Sequence, residues 1–222
     1  MRRTATILSV VILTFCLIAA STGIMLSIYY EPGSGRAYQS LRMITEQIEY
    51  GWLFRKVHYI AGNGIIVAAL IQIVVIFLGR KFSKSWYTAW IGGIFLTLTV
   101  IGLSWTSMIL AWDQVGFWRF SIELGTIEAI PFIGQQLREI LTGGSSISIL
   151  TVQRLYTIHS YILSIAAIAL SVVHLFSVLW VEKQVSSLKS CFKVLVHQLR
   201  KVEIISQWEF LLLLVNFLRK DE

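Results

Sequence analysis

The chain has 222 residues, 56% hydrophobic and only 14% charged, with a net charge of +7. Soluble domains carry about 25% charged residues, so this chain lacks the polar material to cover a water-facing surface. Two prolines and two cysteines exclude a disordered chain and a disulfide-stapled secreted one, and the placement of the basic residues around apolar segments excludes a nucleic-acid-binding face.

Four apolar segments approach or exceed the ~20 residues needed to cross a bilayer. The first runs from about Thr4 to Tyr30. Arg2, Arg3 and the small residues Ala19, Ala20 and Ser21 also suit a signal peptide. The apolar stretch is about twice the length of a signal core, so a retained helix is expected. The second segment runs from about Trp52 to Leu78, the third from about Tyr87 to Trp112 and the fourth from about Val152 to Val181. Cys16 in the first segment and Cys191 near the C-terminus form no cluster and are read as free thiols.

The loops fix an orientation. The first–second loop sets Arg36 and Arg42 against Glu31, Glu46 and Glu49, and the third–fourth loop sets Arg119 and Arg138 against Asp113, Glu123, Glu128 and Glu139. Both are slightly acidic. Arg2, Arg3, Arg80, Lys81, Lys84, Lys183, Lys189, Lys193, Arg200 and Lys201 occupy the other ends of the segments. Because cytoplasmic loops collect positive charge, both termini are predicted to be cytoplasmic. That side is n, and the opposite side is p.

The third–fourth loop is long and contains Phe117, Trp118 and the run Ala129-Ile130-Pro131-Phe132-Ile133. Long ordered loops tend to be functional, and this one predicts short helices at the p-side surface. Residues 186–222 alternate basic and apolar positions and end in an apolar run, 210–218, too short to span. They predict an amphipathic helix on the cytoplasmic face, with a subunit-docking helix as the alternative.

The four histidines are His58, His159, His174 and His197. An ionisable group inside a span is costly and marks a functional site, although a neutral imidazole bonded within a bundle is the bland alternative. His58 and His159 lie at similar depth from the p-side ends of two segments that run the same way. Facing imidazoles at one level are what a six-coordinate haem requires. His174 follows His159 by fifteen residues, which is ~22 Å deeper and ~60° round a helix, facing broadly the same interior. The position fourteen residues past His58 is Gln72, so the second level holds one histidine. His197 follows the last span and is read as a surface residue. Ser9 and Gly23 in the first segment, and Gly93 and Ser107 in the third, are each fourteen apart. That spacing leaves a small residue on each flanking helix at each level.

The stretches TGIMLSIYYEP (22–32), GWLFRKVH (51–58), WDQVGFW (112–118), AIPFIG (129–134) and TVQRLYTIHSY (151–161) resemble, in order and interval, the cytochrome b of quinol–cytochrome c reductases. The resemblance is particularly to the short, split form of the cytochrome b/b6 family and covers roughly residues 8–181. The resemblance implies an all-α, integral membrane four-helix bundle with p-side surface helices in the third–fourth loop. Residues 1–181 would be the haem bundle and 182–222 a cytoplasmic amphipathic segment. It implies haem b on the p side, held by His58 and His159, with Arg55 and Arg154 in the places of residues that pair with haem propionates. Gln72 stands where the family has its second n-side ligand, so a second haem there is expected as a five-coordinate, high-spin haem on His174, with an empty level or a ligand recruited from elsewhere as the alternatives. Ala111 replaces a family proline, and Ile7 aligns with the cysteine that attaches an extra haem in the plastid-type form, so that covalent haem is not expected.

The implied function is that of a cytochrome b subunit of a bc-type quinol oxidoreductase, carrying electrons across the membrane through haem b. Such a chain is an electron-transfer subunit rather than an enzyme alone. The quinol-site Pro-Glu-Trp-Tyr motif of the family's later half is not in this sequence. Implied partners are therefore a separate three-helix C-terminal cytochrome b subunit, a Rieske iron–sulfur protein, a c-type cytochrome, quinol and a second copy in a homodimer. The implied location is the cytoplasmic membrane of a bacterium, as a multi-pass protein. The alternative is a single-haem paralogue serving as an anchor or sensor, a reading that Gln72 favours.

Overall fold

The computed structural model describes residues 4–33, 35–79, 82 and 84–201. Arg2, Arg3, Arg80 and Lys81, which carry part of the orientation argument, and residues 202–222 of the C-terminal segment lie outside the described residues. Four helical stretches are long and apolar enough to cross a membrane: Thr4–Ser27, Gly51–Leu78, Lys84–Leu110 and Ile149–Gln184. Within a bilayer a backbone has no water to bond, so an apolar run of this length must satisfy its own amides as a helix.

Helix α1 (Thr4–Ser27) leads into the short α2 (Ala37–Glu46), and α3 (Gly51–Leu78) returns across the bundle. A single 3-10 turn at Lys84–Trp86 opens α4 (Tyr87–Leu110). The long loop then forms α5 (Gln114–Glu128) and α6 (Gly134–Thr142) before α7 (Ile149–Thr157), a π-helical turn (Ile158–Leu163) and α8 (Ser164–Lys201). The short helices expected in the loop are present. The fourth helical run begins three residues before the predicted Val152 and continues past the predicted Val181 to Lys201.

Local chemistry sets the loop helices. Asp113 is extended and its Oδ1 accepts from the Gly116 amide at 2.7 Å, capping α5. Position 116 must be glycine, since a Cβ there would lie 2.5 Å from the Met108 carbonyl. A reciprocal capping box of Ser148 and Thr151 opens α7, and the Thr151 hydroxyl also donates to the Thr142 carbonyl at 2.7 Å, tying α7 to the end of α6.

In the bundle α1 packs against α3 and α8, and α4 packs against α8 and α3. The parallel pair α3 and α8 therefore stand diagonally across the interior. Between them lies a core of Ile12, Cys16, Ile65, Ala68, Ala69, Leu96, Val100 and Ala167. Its alanines matter because helices in lipid gain nothing from hydrophobicity against one another and associate by close packing. On α3 the buried stripe Ala61, Ile65, Ala68, Gln72, Ile76 keeps the helical period and faces inward. Val67, Val74, Phe77 and Phe95 face outward, as lipid-facing side chains do. At the p end Ile109, Phe120, Leu124 and Leu155 fasten α5 onto the bundle.

The π turn settles the phase of the fourth run. Fifteen residues separate His159 from His174, against fourteen between positions 58 and 72. In a regular helix the extra residue would rotate His174 by about 100° relative to its partner position. A single π turn takes up one residue, and Ile158–Leu163 is where it sits, directly around His159.

Candidate functional site

Two levels of polar side chains cross the apolar interior. At the p level the rings of His58 and His159 face each other with centroids 6.4 Å apart. The Nδ1–H of His58 donates to the Ala19 carbonyl of α1 at 2.9 Å, and the Nδ1–H of His159 donates to the Leu103 carbonyl of α4 at 3.0 Å. Each Nδ1 also has a threonine oxygen beside it, Thr22 at 3.2 Å and Thr106 at 3.0 Å. Those hydroxyls donate elsewhere, to Ile18 and Gly102, so toward the imidazoles they act as acceptors. Both rings are thus fixed in the Nδ1–H tautomer, leaving Nε2 for a ligand bond.

Haem fits this level. Two metal–imidazole bonds of about 2 Å each, with the rings added on either side, put the centroids about 6 Å apart. Among the described residues no group of three or more His, Cys, Asp or Glu is gathered that could hold a metal ion by itself. Gly23 gives the ring its room: a Cβ there would lie 3.1 Å from His58 Cε1.

At the n level Gln72 and His174 meet directly. His174 Nδ1–H donates to the Ala89 carbonyl at 3.0 Å, and its Nε2 lies 3.1 Å from Gln72 Nε2, which donates to it. The same amide nitrogen reaches the Ala5 carbonyl and the Ser9 hydroxyl oxygen, both at 3.1 Å. A Cβ on Gly93 would lie 3.0 Å from His174 Cε1. Metal bonds of about 2 Å from each side need about 4 Å between the donor atoms, so an iron does not fit between this pair as it stands.

The four carbonyls form a pattern. Ala5 and Ala19 on α1, and Ala89 and Leu103 on α4, are each fourteen residues apart and each precede by four the small residue expected at that level. Ser9, Gly23 and Gly93 adjoin the polar groups as expected. Ser107 is exposed, its hydroxyl on the Ser104 carbonyl, and the neighbouring Thr106 is the residue that reaches His159. The carbonyl acceptors have no signature in residue type, and Thr22 and Thr106 stand one position before the small residues Gly23 and Ser107.

Arg55 and Arg154 are both exposed at the p end. Arg55 donates to the Thr45 hydroxyl at 2.9 Å and Arg154 to the Ile140 carbonyl at 3.1 Å. His197 is exposed. Tyr30 donates to the Leu110 carbonyl at 2.7 Å and packs its ring, tilted by 39°, at 5.4 Å from that of Tyr156, closing the p end between α1, α4 and α7. Burial, with Tyr156 beside it, pushes the Tyr30 phenol above its ordinary value, so it remains a donor.

An apolar four-helix bundle with a facing imidazole pair between its diagonal helices defines a class, the membrane-embedded cytochromes of b type. The family model described as cytochrome b/b6/petB matches residues 4–182, and the chain belongs to that family. It is 33% identical over 151 residues to the cytochrome b6 of Mastigocladus laminosus, covering 68% of this chain and 70% of the relative. It is 31% identical over 172 residues to that of Desmonostoc sp., covering 78% and 79%. Among solved structures, a chain of a hyperthermophilic respiratory complex III superposes with a TM-score of 0.70 at 22% identity, covering 78% of this chain and 47% of that one. The family resemblance, the all-helical membrane bundle and the integral membrane location are borne out.

Proposed function

We propose that the chain is the haem-b-carrying cytochrome b subunit of a bc-type quinol oxidoreductase, receiving electrons released from quinol at the p side. The observation that carries this reading is the His58–His159 pair, 6.4 Å apart. Haem bound there supplies a reversible one-electron iron couple. The chain's own residues do the rest. His58 and His159 would hold the haem through their Nε2 atoms. The Ala19 and Leu103 carbonyls, with Thr22 and Thr106, fix both rings and make them better donors to a metal. Arg55 and Arg154, on the p-end approaches of the two parallel helices, would supply the cations for the propionate carboxylates. The apolar core below excludes water and keeps the dielectric low.

The partners in this reading are a three-helix C-terminal cytochrome b subunit, a Rieske iron–sulfur protein, a c-type cytochrome and a second copy of the chain. The membrane is the cytoplasmic membrane of a bacterium, with both termini on the n side. Exposed apolar side chains at the p end support an assembly: Val115, Trp118 and Ile122 lie on one face of α5, where lipid or another subunit must cover them. The family match does not favour an anchor or sensor. The test is the reduced-minus-oxidised spectrum of the purified chain, where a low-spin b-type signal reducible by quinol in the assembled complex is expected. A complex whose haem is not reduced by any quinol would refute the reading.

A further inference from the structure

Gln72 occupies the place of an imidazole in the four-fold pattern and reproduces one of its bonds. Its Nε2 donates to Ala5, the carbonyl that stands to position 72 as Ala19 stands to His58. A second contact differs in kind. Where His58 and His159 leave a gap, the Gln72 amide reaches across to His174 Nε2 at 3.1 Å and occupies the lone pair that ligation would use. Both side chains are closed off: Gln72 is 1% and His174 0% exposed, with Ala5 and Ala89 beside them also at 0%.

The donor inventory explains why the pair holds. The Ala5 and Ala89 carbonyls and the Ser9 oxygen are all acceptors toward this level, a set that receives ring N–H groups. The carboxamide meets it with its NH2, and its Oε1, buried, has no hydrogen-bond partner. A carboxamide can share this pocket with His174 only by pointing its nitrogen inward. That orientation presents N–H, which has no lone pair for iron, toward the position a metal would take.

We propose that Gln72 is a built-in plug that closes the n level, so that each chain carries one haem b, at His58 and His159, and none at His174. This rests on the reading of the chain as a haem b subunit. Fourteen helical residues, about 21 Å, separate the two levels. The chain alone then offers no second haem relay toward the n side, and onward transfer requires a redox centre held by a partner.

The test uses the full chain in its native complex, purified from membranes in detergent, with haem counted per polypeptide and reduced and oxidised spectra recorded. One low-spin haem b per chain is expected. His174→Ala, and the milder His174→Gln, leave both count and spectrum unchanged, whereas His58→Ala removes the haem. Gln72→His, which frees the level for a second imidazole, raises the count to two. Two haems in the unaltered chain, a high-spin signal lost on His174 substitution, or a folded Gln72→His chain still holding one haem would each overturn the plug while leaving the haem b reading in place. A chain with no haem at all overturns both.

Discussion

The imidazoles of His58, on α3, and His159, in the π turn that leads into α8, meet at 6.4 Å although α3 and α8 pack chiefly on α1 and α4. The gap between the diagonal helices is therefore held open by the flanking pair and bridged only by side chains. In the proposed haem site, replacing either histidine with alanine would remove one of the two side chains that hold the haem. The low-spin b-type spectrum should be lost, with the chain either haem-free or holding a five-coordinate, high-spin haem. An unchanged absorbance in the double variant would be incompatible with this site.

The two cradle glycines should separate by effect. A methyl on Gly23 would sit 3.1 Å from His58 Cε1, and the ring cannot yield easily because Ala19 and Thr22 hold its Nδ1. Gly23→Ala should therefore weaken haem retention during detergent purification. A methyl on Gly93 would press on His174 at 3.0 Å, at a level where no haem is proposed. Gly93→Ala should lower thermal stability by about 1 kcal/mol, as overpacking does, while haem content stays constant.

The membrane bundle was legible from the apolar runs because bilayer thickness imposes their length, and the two levels from histidines and small residues fourteen apart. The geometry that makes the levels work was not. The fifteen-residue interval from His159 to His174 left a phase error that only the π turn at Ile158–Leu163 removes, and no residue type announces such a turn. Ala5, Ala19, Ala89 and Leu103 act through carbonyls, which every residue has. Gln72 stood out as a missing imidazole, but its bond to His174 depends on the direction of one amide, a matter of packing rather than composition.

Thr106 should act through His159 rather than on the haem itself. Its oxygen accepts from His159 Nδ1–H at 3.0 Å, and such outer bonds make an imidazole a stronger donor to oxidised iron. Thr106→Val keeps the shape and removes that acceptor. Haem affinity should fall by about tenfold, at the mild end of such losses, and the midpoint potential should rise, read by redox titration. A potential unchanged from the parent chain would show that the Leu103 carbonyl alone sets the ring.

Orientation is tested independently of haem. The described part of the 79–88 loop and the end of α8 lie at the n end of the bundle, while α2, α5 and α6 lie at the p end. Single cysteines at Lys84 and at Glu222 should react with a membrane-impermeant thiol reagent only from the cytoplasmic side of sealed vesicles, and cysteines at Arg42 and Gln135 only from the other. The reverse pattern would place the His58–His159 level near the cytoplasm and require quinol chemistry on that face.

The last prediction concerns what the chain does without partners. The p end exposes Trp118 and Ile122 on α5, and Phe132 in the following turn at 97% exposure, with Phe132 held at φ +69. That is a side chain presented outward at a backbone cost, and a conformation of this kind persists where surrounding structure or a binding partner uses it. The chain purified alone should keep its haem spectrum but oxidise quinol to a cytochrome at no more than background rate. In the native complex, Trp118→Ala and Phe132→Gly should loosen subunit association, seen as loss of co-purifying subunits, with the haem signal intact. Turnover by the isolated chain at enzyme-like rates would show that the electron-accepting surface is complete within these 222 residues and would remove the need for a three-helix partner.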